Sequence, residues 1–181
     1  MNLPNRLTLA RLFLIPVFLL IASCKSFYTD ALAAAVFVLS AATDGLDGYY
    51  ARKNKQVTRL GKFMDPLVDK LLISAALVVL VELGRLPGWI AVVIISREFA
   101  VTGLRSIAAA EGVIISASKL GKIKNVTQII AITAIFLRDF PFSLINLPFG
   151  SIAMAVALLF TLWSGLDYFR KTWKLLKKDG Y

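Results

Sequence analysis

The sequence has a single cysteine, Cys24, and only 11 acidic residues against 21 basic ones. One cysteine excludes a disulfide-stapled secreted module. Charge of either sign is scarce: 18% of the 181 residues, against about a quarter in an ordinary soluble domain. Hydrophobic residues make up 58%, and the mean hydropathy is +0.74. That balance excludes a typical soluble enzyme and a disordered chain alike. Internal repeats, low-complexity tracts and any linker long enough to separate domains are also missing, so residues 1–181 read as one domain. The net charge of +10 would suit nucleic acid in a polar chain. In one this apolar it reads instead as the basic bias of cytoplasmic membrane loops, with no nucleic-acid partner expected.

What is present are six apolar stretches, at about 7–23, 31–51, 64–83, 87–109, 121–137 and 148–169. Each approaches the roughly 20 residues that a helix needs to cross about 30 Å of hydrocarbon. The fold expected is an all-α integral membrane protein, a bundle of six transmembrane helices. With the N-terminus inside, the cytoplasmic segments hold Arg6, Arg11, Arg52, Lys53, Lys55, Arg59, Lys62, Arg105, Lys119, Lys122, Lys124 and the basic 170–178 tail, which would lie against membrane lipids. The opposite side keeps only Lys25, Arg85 and Arg138, so both termini are placed in the cytoplasm. In the second and third stretches the uncharged runs are shorter than a span: 13 residues separate Asp30 from Asp44, and 11 separate Lys70 from Glu82. Charges inside a membrane cost several kcal/mol unless they face partners or water. Their concentration at one level implies a polar cavity open to the cytoplasm.

The densest group of such charges is Asp44-Gly-Leu-Asp47-Gly48-Tyr-Tyr-Ala51-Arg52 followed by Gly61-Lys-Phe-Met-Asp65-Pro-Leu-Val-Asp69. Asp44 and Asp47 share a helix face, and Asp65 and Asp69 lie one turn apart on the returning helix. Four carboxylates at one level repel strongly, and hard divalent cations would offset that repulsion, since Mg²⁺ takes carboxylate oxygens shared with substrate phosphates. Gly48, Ala51 and Gly61 remove bulk beside the acids, while Arg52 and the 53–59 segment add positive charge. Acids for metal, small residues for close approach and a basic rim together suggest a diphosphate ligand. Structural ion pairs explain one such aspartate as well as function does, but explain four at these spacings poorly.

The pattern Asp44-x-x-Asp47-Gly48-x-x-Ala51-Arg52, then Gly61-x-x-x-Asp65-x-x-x-Asp69, resembles position for position the signature of the CDP-alcohol phosphotransferase family. Members displace CMP from a CDP-linked lipid with an alcohol, using two divalent cations, Mg²⁺ or Mn²⁺. The resemblance implies Asp44, Asp47, Asp65 and Asp69 as metal ligands, Asp69 also as general base, and Gly48, Ala51, Arg52 and Gly61 as the CDP site. It further implies a six-helix bundle and a homodimer. Asn5 and Thr8 share a stripe with Arg11 at the membrane entry. They would close the nucleotide site or, equally, cap the first helix.

The signature leaves the acceptor alcohol open. Residues 3–11, 96–105 and 119–125 resemble segments of the bacterial phosphatidylglycerophosphate synthases within that family, except that Asn125 stands where threonine is usual. This implies CDP-diacylglycerol and sn-glycerol 3-phosphate as substrates, phosphatidylglycerophosphate and CMP as products, and a multi-pass protein of the bacterial inner membrane. The residues themselves favour an anionic acceptor. Glu98, Thr102 and Arg105 form one polar stripe on the fourth helix, and Lys122 and Lys124 begin the fifth, where a helix N-terminus also favours anions. Arg97, Arg105 and Lys122 are the candidates for the acceptor phosphate. Arg105 and Lys122 are also explained as snorkelling residues, and Arg97 as the ion-pair partner of Glu98 or another buried acid.

Two other readings compete. The same chemistry serves other acceptors, such as inositol phosphate. The four acids would alternatively suit a divalent-cation transporter, although the outer halves of the helices carry no matching acids. Residues 21–24 also resemble a lipoprotein processing site, but cleavage there would discard the segment containing Asn5 and Arg11.

Overall fold

The computed structural model describes residues 3–24, 26–53, 59–110 and 119–178. These form six α-helices and one short 3-10 helix, with no strand among the described residues. The helices are α1 (Leu3–Ala22), α2 (Phe27–Lys53), α3 (Arg59–Glu82), α4 (Gly88–Ala110), α5 (Lys119–Phe136) and α6 (Phe149–Lys178). One helix grows around each apolar stretch. The aspartate-bearing segments continue α2 and α3 rather than ending them, so both helices outrun their apolar parts. Charges on α3, α4 and α5 interrupt the apolar runs there. Among the described residues, one stretch, Phe149–Arg170, is both long and apolar enough to cross a bilayer, and Leu9–Ala22 and Phe27–Thr43 are shorter apolar lengths.

The buried positions follow the helical period. Leu72, Ala76, Leu77 and Leu80 form the inner stripe of α3, which packs against α1, α2, α4 and α5. Phe18 of α1 meets Phe37 of α2 at 6.2 Å and Phe136 of α5 edge-on at 5.6 Å between ring centroids. Small residues (Ala33, Ala34, Ala76 and Ala131) let the backbones close around those rings. α6 lies along α5 and α4. The outward faces are apolar too: Phe13 and Leu20 on α1 and Trp163 on α6 are each about 70% exposed. Apolar surface of that extent marks a face that another apolar phase covers.

The end of the bundle where α2 begins is tied by a charge triad that no local sequence pattern announces. α3 closes in a Schellman turn: Gly84 donates to the Val81 carbonyl and Arg85 to that of Leu80. Gly84 sits at φ +69°, a conformation that costs glycine nothing. α5 closes in the same way, Arg138 donating to Ile135 and Asp139 to Ala134, but here the left-handed position is Arg138 at φ +53°. A non-glycine residue there costs roughly 1–2 kcal/mol. The two turns bring Arg85 (Nη2, 2.8 Å) and Arg138 (Nε 2.9 Å, Nη2 2.8 Å) to Oδ2 of Asp30, which is 1% exposed in the first turn of α2. Asp139 in turn accepts a hydrogen bond from Gly150 N at the start of α6. Removing one partner of a buried ion pair costs about 3–5 kcal/mol. Because Arg138 is 46% exposed, the lower end of that range applies. Asp30→Asn is therefore expected to lower unfolding stability by about 3 kcal/mol in detergent, measured by thermal denaturation, without changing turnover per folded molecule.

Candidate functional site

Asp44, Asp47, Gly48, Ala51 and Arg52 fall in the last turns of α2, and Gly61, Asp65 and Asp69 in the first turns of α3. These consecutive helices pack together. The side chains of all eight lie outside the described residues, as do those of Asn5 and Thr8 in the first turns of α1. Among the described residues no three acids, cysteines or histidines gather as a metal site. Asp44, Asp47, Asp65 and Asp69 would offer oxygen donors alone, from two adjacent helix ends at one-turn spacing, the kind of donor that hard divalent ions take. Arg11, one to two turns beyond Asn5 and Thr8 on α1, is 2% exposed.

Lys70 follows Asp69 on α3 and leads into the described part of the site. Its Nζ lies 3.1 Å from Oε2 of Glu98 on α4. The other oxygen of Glu98, Oε1, accepts hydrogen bonds from Arg97 Nη1 at 3.1 Å and from Lys124 Nζ on α5. Glu98 is 3% exposed and Lys124 is buried beside it. One carboxylate thus gathers cations from three helices. Buried charges persist only when paired and hydrogen-bonded, and among the described residues Glu98 is the shared partner of all three cations.

α6 completes the arrangement. Arg97 donates from Nη2 to Ser164 Oγ at 2.7 Å. Ser164 is fixed in turn by donating to the Phe160 carbonyl at 2.7 Å. Gly165 leaves room for the arginine stem, since a Cβ there would stand 3.2 Å from Arg97 Cγ. One turn past Lys124, Gln128 donates to Thr161 Oγ1 at 3.0 Å, a second polar tie between α5 and α6. Charge, hydroxyl and amide side chains thus form a polar seam where α4, α5 and α6 meet.

Of the three residues expected at an acceptor phosphate, the structure brings Arg97 into the buried cluster and leaves Arg105 and Lys122 exposed. Arg97 also makes its expected pair with Glu98. The buried lysine of α5 is Lys124 rather than Lys122, because two residues turn a helix by about 200° and put the two on opposite sides. The signal was present in the sequence: Lys124, Gln128, Ile132 and Ile135 recur at the spacing of one helix face, and all four are buried. Ser164 and Gly165, which seat Arg97, carried no such signal.

A family model described as CDP-alcohol phosphatidyltransferase matches residues 1–163. A Bacillus subtilis protein named CDP-diacylglycerol–glycerol-3-phosphate 3-phosphatidyltransferase is 49% identical over 188 aligned residues, covering 97% of both chains. A Pseudomonas fluorescens protein of the same name is 39% identical, with 99% of this chain and 94% of its own length covered. A Mycobacterium tuberculosis protein named probable phosphatidylglycerophosphate synthase is 41% identical, covering 92% of this chain and 79% of the relative.

Proposed function

This chain belongs to the CDP-alcohol phosphatidyltransferase family, and we propose that it transfers the phosphatidyl group of CDP-diacylglycerol to sn-glycerol 3-phosphate, giving phosphatidylglycerophosphate and CMP. The likeness to the Bacillus subtilis transferase along 97% of both chains carries this reading. The buried cations around Glu98 agree with it, because they suit an acceptor bearing a phosphate better than serine or choline.

In this mechanism a free hydroxyl oxygen of glycerol 3-phosphate attacks the phosphorus that carries diacylglycerol, and the bond from that phosphorus to the CMP oxygen breaks. Asp69 takes the hydroxyl proton as general base. Asp44, Asp47, Asp65 and Asp69 would hold two divalent cations, Mg²⁺ or Mn²⁺, which when bound supply neutralisation of the diphosphate and of the departing CMP. Gly48, Ala51 and Gly61 admit the diphosphate close to the backbone, Arg52 pairs with its charge, and Asn5 and Thr8 close the nucleotide site from α1. Arg97, with Lys70 and Lys124, receives the acceptor phosphate. Arg105 and Lys122 form an exposed cationic rim that draws the acceptor in from solution.

The whole chain, 1–181, acts as one domain. It crosses the bacterial inner membrane six times with both termini and the catalytic cavity on the cytoplasmic side, and it works as a homodimer. The strongly basic cytoplasmic segments support that orientation. The test is CMP release by purified protein with CDP-diacylglycerol and Mg²⁺, offered glycerol 3-phosphate, inositol phosphate or serine in separate reactions. Release with glycerol 3-phosphate alone is expected. Release only with another acceptor would replace the proposed substrate, and cation flux without release would favour transport.

A further inference from the structure

We infer that Glu98 is a positioning residue for acceptor recognition: it holds Lys70, Arg97 and Lys124 together as a preformed seat for a phosphate monoester. The inference rests on the phosphatidyl-transfer reading above and assigns to Glu98 a role that the reading leaves open.

Glu98 does not act on substrate directly. Both of its oxygens are occupied, Oε1 by Arg97 and Lys124 and Oε2 by Lys70. A carboxylate engaged by three cations is a poor proton acceptor and a poor metal ligand. What it accomplishes is mechanical and electrostatic. Lysine side chains are long and flexible, and ordering them at the moment of binding weakens binding. Glu98 orders two of them before the acceptor arrives, from α3 and α5, and its own neighbour Arg97 is held from the far side by Ser164 of α6. The cluster also retains capacity: Arg97 Nε is buried with no hydrogen-bond partner. Depth divides the labour. Glu98 and Lys124 are buried at the base, while Lys70 is 15% and Arg97 11% exposed. A deep pair supporting two partly accessible cations is the arrangement expected of residues that orient others.

The test compares Glu98→Gln, Glu98→Asp and the double variant Glu98→Gln/Lys124→Met in the full-length protein, with KM measured separately for each substrate and inorganic phosphate as a competing probe. Glu98→Gln is expected to raise KM for glycerol 3-phosphate at least tenfold, to leave KM for CDP-diacylglycerol within twofold, and to weaken inhibition by inorganic phosphate in parallel. Glu98→Asp is expected to recover some of the loss. The double variant removes both members of the deep pair and so avoids leaving a lone buried lysine. It is expected to fold and still to show the raised acceptor KM. An acceptor KM that is unchanged or lowered, or two KM values that rise together, would overturn the inference, as would failure of all three variants to fold. Failure of the underlying reading looks different, because the wild-type protein itself would then release no CMP in response to glycerol 3-phosphate.

Discussion

Asp69→Asn is expected to cut CMP release by about 10²–10⁴-fold, the range that a positioned general base contributes. Asparagine keeps the shape of the side chain and cannot take the acceptor's proton. Asp69 lies within α3, whose inner stripe of Leu72, Ala76, Leu77 and Leu80 holds the helix in place, so the substitution should leave the fold intact. The loss should therefore appear in turnover at saturating glycerol 3-phosphate, with the thermal midpoint within a few degrees of wild type. A rate within tenfold of wild type would remove Asp69 from the role of base. Because Asp69 is also proposed as a metal ligand, the variant should be assayed across a range of Mg²⁺. A base defect persists at saturating metal, whereas a ligand defect is relieved there.

Chelation is expected to have an effect of similar size. Metal stabilisation of developing charge is worth several kcal/mol, and about 4 kcal/mol corresponds to roughly a thousandfold in rate. Stripping divalent ions with EDTA should bring CMP release to background, and adding back Mg²⁺ or Mn²⁺ should restore it. Asp44→Ala and Asp47→Ala should each reproduce much of that loss at low Mg²⁺ and recover activity as the metal is raised to saturation, since each removes a carboxylate ligand from the metal site. Activity that survives EDTA would contradict the assignment of the four aspartates.

Much of this architecture was legible in the sequence for simple reasons. Helices are announced by runs of apolar residues and by breaks at Leu83–Pro87 and Arg138–Pro141, and all six helices lie where those runs stand. The four aspartates stand out through their one-turn spacing in an apolar sequence, while the roles proposed for them come from their likeness to the family signature. Contacts between distant segments were not legible. Asp30 meets Arg85 from 55 residues away and Arg138 from 108. No local pattern reports that meeting, which depends on two helix-ending turns arriving at the same place. The burial of Lys124 rather than Lys122 was harder to read, for a subtler reason. Both begin α5 and both are cationic, and only the phase of the helix, set by the buried Gln128 and Ile132 farther along, decides which one turns inward. Arg97 was readable as the partner of Glu98 because a buried acid beside a buried base leaves little alternative. Its seat on Ser164 and Gly165 was not, since serine and glycine in an apolar helix also serve simple helix packing.

Transfer of a lipid-linked phosphorus onto glycerol 3-phosphate is checked by following carbon-labelled glycerol 3-phosphate into the lipid phase in the presence of CDP-diacylglycerol and Mg²⁺. One label is expected in phosphatidylglycerophosphate for each CMP released, and neither product when glycerol 3-phosphate is omitted. CMP release without label entering lipid, or no CMP from folded protein supplied with metal and both substrates, would contradict it.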